Sequence, residues 1–285
     1  MAAGKKKRVE LFRIVYYSIL VISAVLILVP IIWMLSASFD RINTYELPFP
    51  PRFIPANPSL FNFELVIKIM RILTFIRNTV VVALLSVALQ ILIVPLAGFA
   101  FSKGRFPLKA FILLAIMSSM MIPFETRIMP IFMLMRSWKL SNTSLGIILP
   151  GTMTSAFFIF LLKKAFDDLP NDLMESAYID GASRLRIYLQ IYLPLVGAML
   201  ATMVVLDVLG VWNDLLWPMI ITNKVNNSTI QVGLAMFTSG SADNISRHAG
   251  MASAASMLSI LPLALIFIFC QRYIVQSIAV SGIKQ

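Results

Sequence analysis

From Ile14 to Phe39 the chain runs 26 residues without a charged side chain, and from Asn78 to Ser102 another 25. About 20 apolar residues in a helix cover the roughly 30 Å hydrocarbon core of a bilayer. Within that core every backbone polar group must be satisfied internally, so such runs become helices or nothing. This feature alone removes most soluble architectures from consideration.

Four more segments fit the same description. Ala110 to Met135 is apolar except for Glu125 and Arg127, and Leu193 to Trp217 except for Asp207 and Asp214. Ser141 to Leu162 and Ala249 to Gln271 are uncharged, with Pro150, Gly151 and Pro262 inside them. Pro and Gly within spans are tolerated where neighbouring helices or waters satisfy the freed groups, which points to a packed bundle. The expected fold is an all-α integral membrane protein with six transmembrane helices. Hydrophobic residues make up 59% of the chain and charged ones 13%, against about 45–50% and about 25% in soluble domains. One Cys and one His leave little room for disulfide, metal or thiol chemistry; Cys270 reads as a packing residue and His248 as an outer-loop residue.

Lys5-Lys6-Lys7-Arg8 before the first run resembles the start of a signal peptide, but the run is too long and lacks a cleavage site. It reads as a retained first span with a cytosolic N-terminus. Orientation then follows from Lys and Arg. With the N-terminus inside, segments 1–13, 103–109, 163–192 and 272–285 face the cytosol and carry +8 of the chain's net +11. The excess reads as positive-inside loops and contact with anionic lipid, not as a nucleic-acid footprint. The expected organisation is a basic N-terminus over 1–13, a first span over 14–39 and an extracytoplasmic segment over 40–77, made of a Pro-rich loop and an amphipathic stretch from Phe61 to Arg77. A core of spans two to six over 78–275 and a cytosolic tail over 276–285 follow. The polar region Thr222 to Arg247 is expected outside.

One inside segment is long and nearly charge-balanced. Residues 163–193 include Asn171-Asp172-Leu173-Met174-Glu175-Ser176-Ala177-Tyr178-Ile179-Asp180-Gly181-Ala182-Ser183. Asn171 is an expected N-cap and Asp172 a first-turn acid. Gly181 is the expected left-handed terminator. Ser183 is placed to cap a second helix from Arg184 to Tyr192, ended by Pro194. The two form a knob at the membrane surface. On periodicity alone it reads equally as an amphipathic pair resting in headgroups.

The spacing adds to this. Glu175, Gly181, Ile191, Leu193 and Pro194 fall at offsets 0, 6, 16, 18 and 19. This resembles the EAA motif of permease subunits in binding-protein-dependent ABC importers, with Ser176 in place of the first Ala. The triplet Asp180-Gly181-Ala182 resembles the carbohydrate-uptake branch. So do Trp212-Asn213-Asp214-Leu215-Leu216-Trp217-Pro218, the stretch from Met121-Ile122-Pro123-Phe124-Glu125 to Ile128-Met129-Pro130, and the tail from Gln271-Arg272-Tyr273. The resemblance is closest to the six-span partner of the maltose, glycerol phosphate and multiple-sugar permease pairs.

The resemblance implies a type I ABC importer permease fold, with the knob as a cytosolic coupling-helix pair between spans four and five. Glu175, Ser176, Ala177, Asp180, Gly181 and Ala182 would meet an ATPase groove, and Leu193 and Pro194 would fix the entry into span five. It implies as partners a second homologous permease, two cytosolic ATPase subunits and an extracytoplasmic solute-binding protein, in a bacterial or archaeal plasma membrane, with both termini cytosolic. The chain has no Gly-x4-Gly-Lys-Ser/Thr loop, so ATP and Mg would be bound by the partner ATPases and no cofactor by this chain.

The intramembrane charges admit several readings. An ionised Asp at a span centre costs about 2.5–3.5 kcal/mol on insertion scales, so Asp207 should face the bundle interior or water. Arg127 is expected to pair with Asp207 or Asp214, with Glu125 at similar depth. The alternatives are a substrate-facing role for Asp207, Trp212, Asn213 and Asp214, or interfacial snorkelling. Trp212 and Trp217 read as interface anchors or as sugar-stacking rings. The rival functions are an ion- or proton-coupled secondary transporter, using Asp207, Glu125 and Arg127 as a relay, and an integral-membrane enzyme. No metal cluster or catalytic pair supports the latter.

Overall fold

The computed structural model describes residues 2–41, 50, 52–153, 155–238 and 249–282. Among these the chain is helical, with no strand and only an isolated bridge between Asp40 and Pro58. Two compact units emerge, Met1–Ile72 with Met236–Ile260, and Leu73–Ala235 with Leu261–Gln285.

In the first unit, α1 (Ala2–Phe39) runs through the basic flank without a break. Lys and Arg are good helix formers, so the expected boundary at residue 13 is not a structural one. The apolar side chains of α1, among them Leu26 and Ile27, are exposed, as in a helix facing lipid. Its end is tied to α2 (Phe61–Leu65): the Asn62 amide donates to the carbonyls of Ser38 and Asp40 at 3.1 and 3.0 Å. The Asp40 carboxylate accepts from the backbone N–H groups of Ala56 and Asn57. The Asn62 bonds satisfy carbonyls that a helix end leaves open. The amphipathic stretch expected over Phe61–Arg77 is not continuous. A π turn at Val66–Met70 ends at Arg71, whose φ of 56° is left-handed, and α3 (Ile72–Lys103) begins there.

The second unit contains most of the remaining elements. α4 (Lys109–Ser118) continues as a 3-10 turn to Met121, and α5 (Phe124–Ser137) leaves it at 106°. The third span expected over Ala110 to Met135 is thus broken. Ile122 is extended, at φ −88° and ψ 115°, because a residue before proline avoids the helical region. α6 (Ser144–Met153) and α7 (Ala156–Asp167) follow, then α8 (Asp172–Ile179) and α9 (Arg184–Ile187). A π turn at Tyr188–Tyr192 leads into α10 (Leu193–Leu195). The wide turn lies just where Pro194 removes a donor and crowds the carbonyl of Gln190. The helix therefore passes Pro194 and breaks at Val196, where α11 (Gly197–Asn213) departs at 77°.

α12 (Leu216–Ile221), α13 (Ile230–Thr238) and α14 (Ala249–Gly282) complete the chain, the last two shared between the units. α13 corrects the polar loop expected over Thr222 to Arg247: Ile230 to Phe237 is apolar enough to form a helix. Residues 239–248, including His248, lie outside the described residues, as do 42–49, 51 and 283–285. The expected tail over 276–285 is helical as far as Gly282.

Among the described residues three helical stretches, Phe12–Phe39, Ile72–Lys103 and Ala249–Phe269, are long and apolar enough to cross a membrane. Three broken pairs, α4–α5, α6–α7 and α9/α10–α11, pass the same test when joined, giving three spans, or up to six if each pair is one span.

Candidate functional site

The knob is built as a helix, a left-handed glycine and a second helix. α8 carries Asp172 and Glu175 in its first turn, where acids complement the helix dipole. Gly181 sits at φ 77°, a conformation that costs other residues about 1–2 kcal/mol. The Ala182 N–H donates to the carbonyl of Ala177 at 2.9 Å, closing the turn. Ser183 caps α9 as expected, its hydroxyl accepting from the Arg186 N–H.

Asn171 differs from expectation. It occupies the N-cap position without a side-chain cap. Its Oδ1 instead accepts from Lys103 Nζ at 2.8 Å, and the same ammonium donates to the carbonyl of Leu169 at 2.7 Å. Beside it, the Ser102 hydroxyl donates to Asp167 Oδ1 at 2.7 Å, and Lys163 pairs with Asp167 at 2.6 Å. Lys109 donates to the carbonyls of Ser102 and Gly104, closing the end of α3. The end of α3 is thereby stapled to the junction of α7 and α8.

An apolar cluster holds the knob from beneath. Phe166 and Tyr192 are fully buried, with Leu162, Ile187 and Tyr188 around them. The Phe99 ring lies 5.6 Å from Phe166 and 5.2 Å from both Tyr188 and Tyr192, tilted or edge-on, arrangements that aromatic rings favour. The Tyr192 hydroxyl donates to the carbonyl of Pro170 at 3.1 Å, and Lys103 sits over its ring at 5.7 Å. At Gly98 a Cβ would come within 3.0 Å of Leu162 Cβ, so glycine sets how closely α3 and α7 approach.

This clamp sorts the expected site residues. Glu175, Ser176, Asp180, Gly181 and Pro194 are exposed, and Ala182 and Leu193 half-buried. Ala177, expected on the outward face, is buried in the chain's own core: one turn of helix cannot present positions 175, 176 and 177 to the same side. Ile179, absent from the expected set, is 87% exposed at the tip of α8. An exposed isoleucine between Glu175 and Gly181 was the available signal. A cavity of about 660 Å³ opens beside this face, lined by Lys103, Arg105, Lys109, Glu175, Tyr178 and Arg184 among others.

A second cavity, of about 340 Å³, lies in the same unit between α3, α6, α7 and α11. Asp207 and Asp214 both line it; Trp212 and Asn213 do not. Trp212 is buried, and the Asn213 amide donates to its own helix at Leu209. Trp217 is also buried, with Nε1 donating to the carbonyl of Gly146 at 3.0 Å and its ring edge-on to Phe124. The burial of both rings replaces the interface-anchor reading. Asp207 receives Gln90 Nε2 at 3.4 Å. Ser86 and Gln90, one helical turn apart on α3, were missed in the sequence; a polar pair at that spacing inside an uncharged run was the signal.

Arg127 joins neither aspartate. The described ion pairs are Lys68–Glu64, Lys163–Asp167 and Lys164–Asp168. The Arg127 guanidinium lies 6.0 Å from the Phe124 ring centre instead, and Glu125 is exposed in the first turn of α5. The bend at Pro123 turns α5 away from the direction a straight span would have given it. No group of three or more His, Cys, Asp or Glu side chains suited to a metal occurs among the described residues.

Comparison with known proteins agrees with this architecture. The sequence profile of the family described as "Binding-protein-dependent transport system inner membrane component" matches residues 93–280. The chain is 33% identical over 211 residues to the arabinooligosaccharides transport system permease protein AraQ of Halalkalibacterium halodurans, covering 74% of each chain. It is 30% identical over 263 residues to the lactose transport system permease protein LacG of Rhizobium radiobacter, covering 92% of this chain and 93% of that one. Among solved structures, a chain from a bacterial ABC transporter involved in the import of the acidic polysaccharide alginate superposes with a TM-score of 0.80 at 27% identity, covering 93% of this chain and 96% of that chain. The profile match spans the knob, the cavity beside it and most of α14, and the chain therefore belongs to the binding-protein-dependent transport system inner membrane component family.

Proposed function

We propose that this chain is a permease subunit of an ATP-driven importer that carries a sugar or sugar-derived solute from an extracytoplasmic binding protein across a bacterial plasma membrane. Each broken helix pair counts as one span, giving six, with both termini cytosolic. The knob at α8–α9 is the coupling element. Its outward face of Glu175, Ser176, Ile179 and Asp180 docks on a separate ATPase subunit, and the clamp beneath passes rigid-body motion into α3, α7 and α11. Two global states, outward-open and inward-open, are biased by ATP and by the loaded binding protein. The complex contains a second homologous permease and two ATPase subunits, which bind the ATP and Mg.

The observation that carries this reading is a knob exposed on one face and locked to the bundle on the other. A purely lipid-resting helix pair has no need of Lys103 spanning Leu169 and Asn171, nor of charged residues facing outward at 175 and 180. The names of the relatives, which concern arabinooligosaccharides and lactose, support the carbohydrate class. An ion-coupled carrier is the weaker reading, since Arg127 and Glu125 stand apart from Asp207 and form no relay with it.

Affinity purification of the tagged chain from its own membrane tests the assignment. The expected result is co-purification of a second permease and an ATPase, with ATP hydrolysis raised by the loaded binding protein. A chain that transports sugar alone, driven by an ion gradient, would overturn it.

A further inference from the structure

We propose that the cavity beside the knob holds the headgroup of an anionic phospholipid from the cytosolic leaflet, gripped between Arg105 and Arg184. The inference rests on the permease reading above, which sets this end of α3 at the cytosolic face, and it concerns what regulates the knob.

The cavity is a cationic one. Lys103, Arg105, Lys109 and Arg184 line it, against Asp167 and Glu175. Asp167 is answered by Lys163 at 2.6 Å, and Glu175 is exposed. The two lysines donate to neutral acceptors: Lys103 to the Leu169 carbonyl and the Asn171 amide oxygen, Lys109 to the carbonyls of Ser102 and Gly104. Such bonds fix an ammonium in place and leave its charge uncancelled. The arginines keep donors in reserve. Arg184 gives only its Nε, to the Tyr178 hydroxyl at 3.0 Å, and Arg105 makes no hydrogen bond or ion pair among the described residues. A guanidinium fork suits two oxygens of one phosphate. The volume, about 660 Å³, falls within the range of small-molecule sites, about 300–1,000 Å³.

What borders the cations favours a membrane lipid over a dissolved anion. The chain is uncharged from Asn78 to Ser102 and again from Ala110 to Phe124. Lys103, Arg105 and Lys109 therefore sit between the ends of two apolar helices, at the level where headgroups begin. The apolar side chains on either side of Lys109 in the chain stand outward, Leu108 71% exposed and Phe111 65%. Leu108 holds φ 56°, a region that leucine enters only at a cost. A dissolved phosphate makes no use of these side chains. An acyl chain lies along them while its phosphate reaches Arg105. Basic pockets at the cytosolic ends of spans are where anionic headgroups bind.

The two arginines belong to different elements. Arg105 lies in the turn between α3 and α4, and Arg184 opens α9 within the knob. A phosphate held by both adds a link between knob and bundle, next to the Lys103 staple. Coupling to the ATPase should then depend on anionic lipid.

Photocrosslinking in the complete importer tests this. The complex is reconstituted in phosphatidylcholine liposomes containing phosphatidylglycerol, with a trace of either lipid carrying a photoreactive acyl chain, and adducts are mapped by peptide mass. Phosphatidylglycerol, and not phosphatidylcholine, should label the peptide containing residues 104–111. Arg105→Gln and Arg184→Gln should each lower that adduct about fivefold, the factor one arginine commands beside an anionic surface. Arg136→Gln, which removes an exposed cation of α5 outside this cavity, should leave it unchanged. ATP hydrolysis stimulated by the loaded binding protein should rise with the phosphatidylglycerol fraction, and the double variant should lose most of that rise. Arg105 is bonded to nothing within the chain, so its effect is not one of folding.

Equal labelling by the two lipids overturns the inference, as does an adduct that both arginine variants leave unchanged. An adduct seen only without the ATPase gives the cavity to that subunit, and one abolished by inorganic phosphate at matched ionic strength gives it to a dissolved anion; either overturns the inference. Any of these results, with stimulated ATP hydrolysis intact, leaves the permease reading standing. A chain that gives the lipid adduct but co-purifies with no ATPase contradicts the permease reading and not the lipid site.

Discussion

At the residue scale, the decisive positions are few and each has a physical reason. Gly181 at φ 77° lets the chain turn between α8 and α9. Gly181→Ala should lower knob stability by about 1–2 kcal/mol, whereas Gly181→Asn should cost less, since Asn tolerates the left-handed region. Proteolysis of the purified complex at this turn, faster in the order Ala, Asn, wild type, measures the difference. Ile179 is the outward apolar residue of the knob. Ile179→Asp leaves this chain's core untouched and should weaken ATPase co-purification at least tenfold, with insertion and partner-permease binding unchanged. Ala177→Asp would instead place a carboxylate in the aromatic cluster, and its expected signature is loss of the folded chain.

At the element scale, the clamp under the knob is the feature on which motion depends. Tyr192 is fully buried and its hydroxyl donates to the carbonyl of Pro170. Tyr192→Phe keeps the ring and should lose about 0.5–1.5 kcal/mol, seen as a lower thermal midpoint with uptake retained. Lys103→Met removes two hydrogen bonds at once and should loosen the α7–α8 junction. The measurable result is less sugar carried per ATP hydrolysed, without loss of assembly. Gly98→Leu forces α3 off α7, because a Cβ there already lies 3.0 Å from Leu162 Cβ; it should abolish stable insertion, read as the amount of protein in the membrane. Much at this scale was legible in the sequence. Uncharged runs marked the long helices, and Ser183 and Gly181 marked the turn and cap. The breaks at Ile122–Pro123 and Val196 were not legible, because hydropathy averages over the residues that bend a helix. Nor was the role of Asn171, whose side chain is claimed by Lys103, 68 positions away in sequence. The burial of Ala177 and Trp212 likewise depends on which neighbour each helix face meets, and hydropathy carries no information about neighbours.

At the scale of the whole molecule, a chain with few charges sets seven of its 13 Asp and Glu residues in two places. One group, with Asp167 and Glu175, lies at the knob and its staple; the other, Asp207 and Asp214, lines the cavity between α3, α6, α7 and α11. The account assigns energy coupling to the first and passage of solute to the second. Glu175→Lys and Gly181→Pro address this division directly, since neither residue lines that cavity. The measurement is sugar uptake by the complete importer reconstituted with its binding protein, alongside the amount of permease pair in the membrane. The account predicts that both variants insert and pair normally while ATP-driven uptake falls at least tenfold. Wild-type uptake with normal ATPase co-purification in both would contradict it.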